Sequence, residues 1–414
     1  MNYRIKMRPI ILGQAFVVFF LAINSVAATS SELDWKQSSE GSAFPSKSSP
    51  ADNTEQWSSI VNGTITSQYP AVGALIRKRA DGLPSGLGHC TATLVGCSHI
   101  LTAAHCLPSK DPKSYVAWFQ STGFIEVKDV SNQHPTFKHC SGGAICSTGD
   151  IALVELQTPV VGIQTSPITR STTVPAGDQG TIVGYGISQG DAMDYGIKRR
   201  GAVTASTCAQ ALAGERDSAW LCWKYSSRLA SNTCSGDSGG PLLASNGAIG
   251  GVTSTGLKRD CSSGDLAFDT RVSAYAAWLT SVAPGKIEKQ NCGAGPQAGG
   301  AGAPMLMVVN DKYVPDGTGI RHRLSVPAGV TKLVLSLQAV GRDFRLVDAI
   351  SIQLRSTSSG TTERCQAQKF MNFASCTVAT PEPGAWDALV QVHSTAGKDD
   401  KPFIYQLVAS LYIN

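Results

Sequence analysis

Beyond its N-terminal segment the sequence has no apolar run long enough to cross a membrane, no block of like charge and no repeating period. Each absence excludes something. A bilayer span needs about 20 consecutive apolar residues, so the body of the chain is expected to be soluble. Nucleic-acid binders carry a basic stripe or patch. Here only 16% of 414 residues are charged, and the net charge of +5 sits in no cluster. Residues 1–28 carry +3 and residues 29–59 carry −3, which leaves +5 spread over the remainder. A nucleic-acid partner therefore has no support, and the lack of a period argues against a solenoid.

What is present begins with an export signal. Arg4, Lys6 and Arg8 precede an apolar run from Ile10 to Ile23, and Ser25-Val26-Ala27-Ala28 follows. That is a positively charged start, an apolar middle too short to span a bilayer, and a small-residue cleavage site. The chain is expected to be secreted, with residues 1–28 removed. Twelve cysteines fit that destination, because oxidising surroundings let disulfides persist. Residues 29–59 are rich in Ser, Glu, Lys and Pro. They cannot bury enough apolar surface to offset the entropy of ordering, so they read as a flexible pro-segment.

From residue 60 to 283 the pattern changes to short β-branched runs broken by turn residues. Thr93-Leu94-Val95, Ile151-Ala152-Leu153-Val154 and Gly180-Thr181-Ile182-Val183 are examples, and 42 glycines supply the turns. One helix is expected over Val272 to Val282, where Ala, Tyr, Trp and Leu fall on a helical period before Pro284-Gly285. Residues 284–304 contain GAGPQAGGAGAP and read as a linker. Residues 305–414 alternate apolar and polar in Leu333-Val334-Leu335-Ser336-Leu337 and in Tyr405 to Leu411, so a second, smaller all-β domain is expected. His322 and His393 are isolated there and read as surface residues. No metal-ligand spacing is found in that domain.

Three short motifs carry the chemistry: Thr102-Ala103-Ala104-His105-Cys106, Gly149-Asp150-Ile151-Ala152-Leu153, and Gly236-Asp237-Ser238-Gly239-Gly240-Pro241. With these motifs, in this order, the chain from Ile60 to Val282 resembles the chymotrypsin/trypsin family of serine peptidases. The resemblance implies an all-β fold of two six-stranded antiparallel barrels with a C-terminal helix, followed here by a small β-sandwich. It implies a serine endopeptidase whose partners are protein or peptide substrates and which needs no cofactor. Ser238 would be the nucleophile, His105 its general base, and Asp150 the group that orients the imidazole. The amides of Gly236 and Ser238 would form the oxyanion hole.

The same resemblance implies disulfides Cys90–Cys106, Cys208–Cys222 and Cys234–Cys261. Cys140 and Cys146 would close a small loop of their own, and Cys365 and Cys376 fall together in the second domain. Cys97 and Cys292 remain and pair by elimination, the alternative being a free thiol at each. Ile60-Val61-Asn62-Gly63 resembles the mature terminus of such zymogens. Its new α-ammonium would pair with Asp237 after cleavage. Ser58 and Ser59 precede the cut, where a trypsin-like activator would need Arg or Lys.

In the family the residue six before the nucleophile lies at the base of the primary pocket. Here it is Asn232, and with Thr233 it gives a neutral polar floor, while Ser254 and Gly256 form the wall. Small or medium apolar side chains before the scissile bond are the expected preference. Asp265 and Asp269 read as solvated loop carboxylates, with a place inside the pocket, and a taste for Lys or Arg, as the alternative. The C-terminal part resembles the pre-peptidase C-terminal domain of bacterial secreted peptidases, through Lys332 to Leu337, Gly341-Arg342-Asp343-Phe344 and Thr377 to Trp386. That resemblance implies a bacterial source. Its implied roles are export, restraint of activity, or contact with a surface or polymer.

Overall fold

The computed structural model describes residues 29–30, 60–82, 89–138, 148–169, 174–190, 192, 194–208, 218–226, 230–293, 304–313, 319–340, 349–366, 372–393 and 403–413. The export segment, Cys140, Cys146 and the motif at 341–344 lie outside them, as does the side chain of Cys365.

Strands Val72–Arg77, Cys90–Gly96, His99–Thr102, Ala152–Leu156, Gly123–Gln133 and Tyr115–Phe119 pair antiparallel in that order and close into a barrel. The sequence period explains the long strand. Ile125 and Val127 face the core, whereas Glu126 and Lys128 face water. A second barrel runs Gln179–Gly184, Pro241–Leu243, Ile249–Gly256, Leu266–Arg271, Trp220–Lys224, Arg199–Ser206, and closes because Gln179–Gly184 also pairs with Arg199–Thr204. The helix Val272–Val282 buries Val272, Tyr275, Ala276 and Leu279, a single apolar stripe.

Two further sheets form the C-terminal region. Met305–Tyr313, Phe403–Ile413, Val330–Val340 and Phe373–Ala379 make one. Ile320–Val326, Gly384–His393, Ala349–Ser356 and Thr362–Gln366 make the other, with Thr29–Ser30 added parallel to Ile320–Arg321. Leu333, Leu335, Leu337, Leu354, Trp386 and Leu407 fill the space between. His322 corrects the sequence reading. It is fully buried, because its strand alternates and places it on the same face as Leu324 and Val326, and its Nε2 lies 2.7 Å from the Tyr405 hydroxyl. The His393 side chain lies outside the described residues.

The other face of the first sheet is polar yet also buried. Ser336, Gln338, Gln406 and Ser410 are at most 1% exposed because the peptidase body covers them. Gln338 Oε1 accepts from the Lys198 amide at 3.0 Å, Gln120 bonds to Gln406, and the Tyr412 hydroxyl donates to the Ser121 carbonyl at 2.8 Å. The bonds of Gln338, Gln406 and Tyr412 fix one docking register, since a slip leaves those groups unpaired. Four disulfides lie wholly among the described residues: Cys90–Cys106, Cys97–Cys292, Cys208–Cys222 and Cys234–Cys261. The strand Asn291–Cys292 pairs with Ile163–Gln164, so the start of the linker is tied to the first barrel. No described helix is long and apolar enough to cross a membrane.

Candidate active site

His105 sits in a single 3-10 turn, Ala104–Cys106, directly after a strand of the first barrel. Asp150 stands two residues before the strand Ala152–Leu156 opposite, and follows Gly149, whose φ is +92°. The two meet twice. His105 Nδ1 lies 2.7 Å from Asp150 Oδ2, and the His105 amide donates to Oδ1 at 2.8 Å. The Ser254 hydroxyl donates to the same Oδ2 at 2.6 Å, and Thr270 Oγ1 donates to the Asp150 carbonyl at 2.8 Å. Burial alone would raise the Asp150 carboxyl. The His105 charge and the bonds from His105 and Ser254 outweigh it and hold the group below its ordinary value. For His105 burial acts downward, but the Asp150 charge and hydrogen bond win and raise it.

Ser238 comes from the second barrel and is held against the same loop. The Thr91 amide donates to the Ser238 carbonyl at 2.8 Å; Thr91 follows Cys90, whose disulfide joins Cys106, the neighbour of His105. Cys90, His105 and Cys106 place potential ligand atoms within 4.8 Å of one another, but both sulfurs are spent in that disulfide, so no thiolate is offered to a metal.

The amides around Ser238 are oriented through their own peptide planes. The Ser235 carbonyl accepts from the Ile187 amide at 2.9 Å, and the Asp237 carbonyl accepts from the Gly240 amide at 2.8 Å. In a trans peptide the N–H points opposite to the C=O. The Gly236 and Ser238 N–H groups are therefore aimed away from those partners, on the side where an oxyanion could sit. Gly236 has φ +96°, and a Cβ there would fall 2.8 Å from the Gly186 Cα and from the Tyr195 ring. Only glycine fits.

Ile60 and Asp237, which the sequence reading assigns to activation, are both buried. Ile60 is fully buried, and Val61 exchanges both backbone bonds with Asn232, at 2.8 and 3.2 Å. Asp237 is fully buried too. Its Oδ1 accepts from the Gly186 amide and its Oδ2 from the Cys234 amide, each at 2.8 Å. Burial pushes its carboxyl up to about 7 against those bonds and the Arg199 charge.

Beside Ser238 lies a pocket of about 270 Å³, lined among others by Thr233, Ser254, Gly256, Lys258, Arg259 and Asp265. The structure corrects the reading of two carboxylates. Asp265 is 1% exposed and Asp269 fully buried, so neither is a solvated loop group. Asp269 lies within a strand, Leu266–Arg271, rather than a loop, and stands opposite Thr253. Burial keeps the Asp269 carboxyl well above its ordinary range. Asp265 is the carboxylate that lines the pocket, and Asn232 stands behind it. Thr91, Gly186 and the Ser254 bond to Asp150 were not legible in the sequence, because each acts by a contact between distant segments.

A family model described as Trypsin matches residues 62–279. Brachyurin of Leptuca pugilator is 29% identical over 205 residues, 47% of this chain and 89% of the relative. Trypsin of Saccharopolyspora erythraea is 30% identical over 186 residues, 42% of this chain and 78% of the relative. Among solved structures, mouse neuropsin, a serine protease expressed in the limbic system, covers 54% of this chain and 99% of its own at 22% identity, with a TM-score of 0.44. The matched span holds both barrels and all three motifs. The chain belongs to the trypsin family and is a serine endopeptidase.

Proposed function

We propose that this endopeptidase is secreted as an inactive precursor, is cut before Ile60, and hydrolyses peptide bonds after Lys or Arg through an acyl-enzyme on Ser238. The observation that carries the catalytic part is the double contact of His105 with Asp150. The Nδ1 contact fixes the tautomer, leaving Nε2 free to take a proton, and the amide contact fixes the loop. Ser238 Oγ attacks the scissile carbonyl while its proton passes to His105. The amides of Gly236 and Ser238 stabilise the oxyanion, and His105 then protonates the leaving amine. Water enters by the same route in reverse and frees Ser238.

The basic preference rests on Asp265. Its oxygens accept from Asn232 Nδ2 at 2.9 Å and from the Lys258 amide at 2.8 Å, and neither donor is charged. Lys258 turns its ammonium towards the Ser263 carbonyl. A substrate cation entering the pocket would find a carboxylate already oriented, and such a pairing offsets the cost of desolvating it. This replaces the neutral floor that Asn232 suggests on its own.

Support for the precursor reading comes from the burial of Ile60 in the barrel that holds Asp237. A cut there would release an ammonium that Asp237, a buried carboxyl in the same barrel, could pair with. The disulfides and the N-terminal segment support secretion. Labelling with a fluorophosphonate probe tests the whole reading. A mature sample beginning at Ile60 should take one label at Ser238, and no label there would sink it.

A further inference from the structure

The C-terminal sandwich reaches the back of the oxyanion hole. Phe373, the first residue of the strand Phe373–Ala379, is 1% exposed and enters an aromatic socket on the peptidase body. Its ring centroid lies 4.6 Å from that of Trp118, 5.6 Å from His89 and 6.0 Å from Tyr185. His89 in turn stands edge-on to Tyr195 at 5.6 Å. The Tyr195 ring is one of the two surfaces that close on Gly236. On the other side, the Tyr185 amide donates to the Thr91 hydroxyl at 3.1 Å, and that hydroxyl donates to the Gly236 carbonyl at 3.0 Å. Both supports of Gly236 therefore lead to Phe373, one through the rings of Tyr195 and His89 and the other through the backbone of Tyr185, whose ring faces Phe373.

Asn372 adds a polar anchor at the same place. Its Nδ2 donates to the Tyr195 carbonyl, and its side chain packs where a Cβ on Gly196 would stand. His89 is buried with neither ring nitrogen bonded, and burial lowers it to about 4, so it sits in the stack as a neutral imidazole. A group held at that cost stays in place only while its neighbours close around it.

Resting on the catalytic reading above, we propose that Phe373 is a positioning residue for the oxyanion hole, so that full activity requires the C-terminal sandwich docked on the peptidase body. The ring fills the last wall of the stack. Without it Tyr195 and His89 have space to move, and the Gly236 peptide loses the surface that fixes its N–H. An amide that must point at a transient charge is sensitive to such loosening, because the interaction is made fully only in the transition state. The substrate pocket, lined from Thr233 to Asp265, shares none of these rings.

The test uses the full mature chain and a small chromogenic peptide amide. Phe373→Ala should lower kcat about 10–100-fold with KM within about twofold of wild type, the pattern of a lost transition-state interaction. A peptide aldehyde, which forms an oxyanion on Ser238, should weaken by the same factor as kcat/KM. Phe373→Leu should recover most of the loss. Tyr412→Phe, which removes the bond to Ser121 at the same interface without touching the stack, should leave kcat unchanged. If Phe373→Ala fails to fold, Asn372→Ala takes its place, with a kcat loss of about 3–10-fold expected. A folded Phe373→Ala or Asn372→Ala with wild-type kcat overturns the proposal, as does a rise in activity, which would make the sandwich a restraint. An unlabelled wild type would instead sink the catalytic reading itself.

Discussion

Asn232 stands behind Asp265: its amide donates to Asp265 Oδ2 at 2.9 Å, and Asp265 is the residue of the two that lines the pocket beside Ser238. The sequence position six before Ser238 is thus occupied by a support for the charge, and the charge itself comes from the segment after Cys261.

This arrangement predicts the cleavage profile. A peptide library should be cut mainly after Lys and Arg, and Asp265→Asn should lower kcat/KM for those substrates by about 100-fold or more, as expected when a buried cation loses its partner. Asn232→Asp should add little, because a second carboxylate beside Asp265 would compete with it. A profile dominated by small apolar residues would restore the neutral-pocket reading.

Catalysis requires neutral His105, and Asp150 raises the pKa of that imidazole. The acid limb of kcat/KM should therefore lie above the ordinary histidine value of about 6.5. Asp150→Asn removes the raising charge, so burial prevails and the limb should move to lower pH, with kcat falling about 10⁴-fold. The stability of the pair follows the opposite signs of its two shifts. The Asp150 contribution is lost as pH falls through its depressed folded value, and the His105 contribution is lost as pH rises through its raised one. A limb at or below 6.5 in the wild type would contradict the shift.

Activation should be visible both in activity and in the pH dependence of stability. The chain beginning at Ile60 should be active, and one extra alanine before it should remove most of the activity by displacing the ammonium from Asp237. In the uncleaved chain Asp237 has a folded pKa raised to about 7, so its favourable contribution holds below the ordinary carboxyl range and is lost as pH rises towards 7. Denaturant midpoints of a precursor carrying Ser238→Ala should fall over that interval, and Asp237→Asn should flatten the fall. Full activity in the alanine-extended chain would remove this logic.

Non-reduced peptide mapping should recover Cys90–Cys106, Cys97–Cys292, Cys208–Cys222 and Cys234–Cys261. Replacing both Cys97 and Cys292 by serine should lower unfolding stability by about 2–5 kcal/mol, because that bond closes a loop of 195 residues. An unchanged denaturation midpoint would show the bond to be absent in solution.

The sequence by itself determined the strand-rich pattern, the helix and the motifs, because those depend on local information, while the two barrels followed from the resemblance that the motifs carry. Alternation in Gly123–Gln133 selects a strand, the apolar stripe from Val272 to Leu279 selects a helix, and the glycines at 149 and 236 permit backbone turns that other residues strain to make. It also paired Cys97 with Cys292 by elimination, once the resemblance and the neighbouring pairs had taken up the other ten cysteines. Only the tertiary structure decided the rest. Asp269 is buried because its strand, Leu266–Arg271, lies between two others and is covered on both faces, and Asp265 is held by Asn232 and the Lys258 amide, contacts that only the packed barrel supplies. His322 looked like a surface residue until its strand acquired a partner sheet. The Ser254 bond to Asp150 and the Phe373 contact with His89 join residues 104 and 284 positions apart. No local pattern encodes contacts of that kind: they exist only once the barrels and the sandwich have packed.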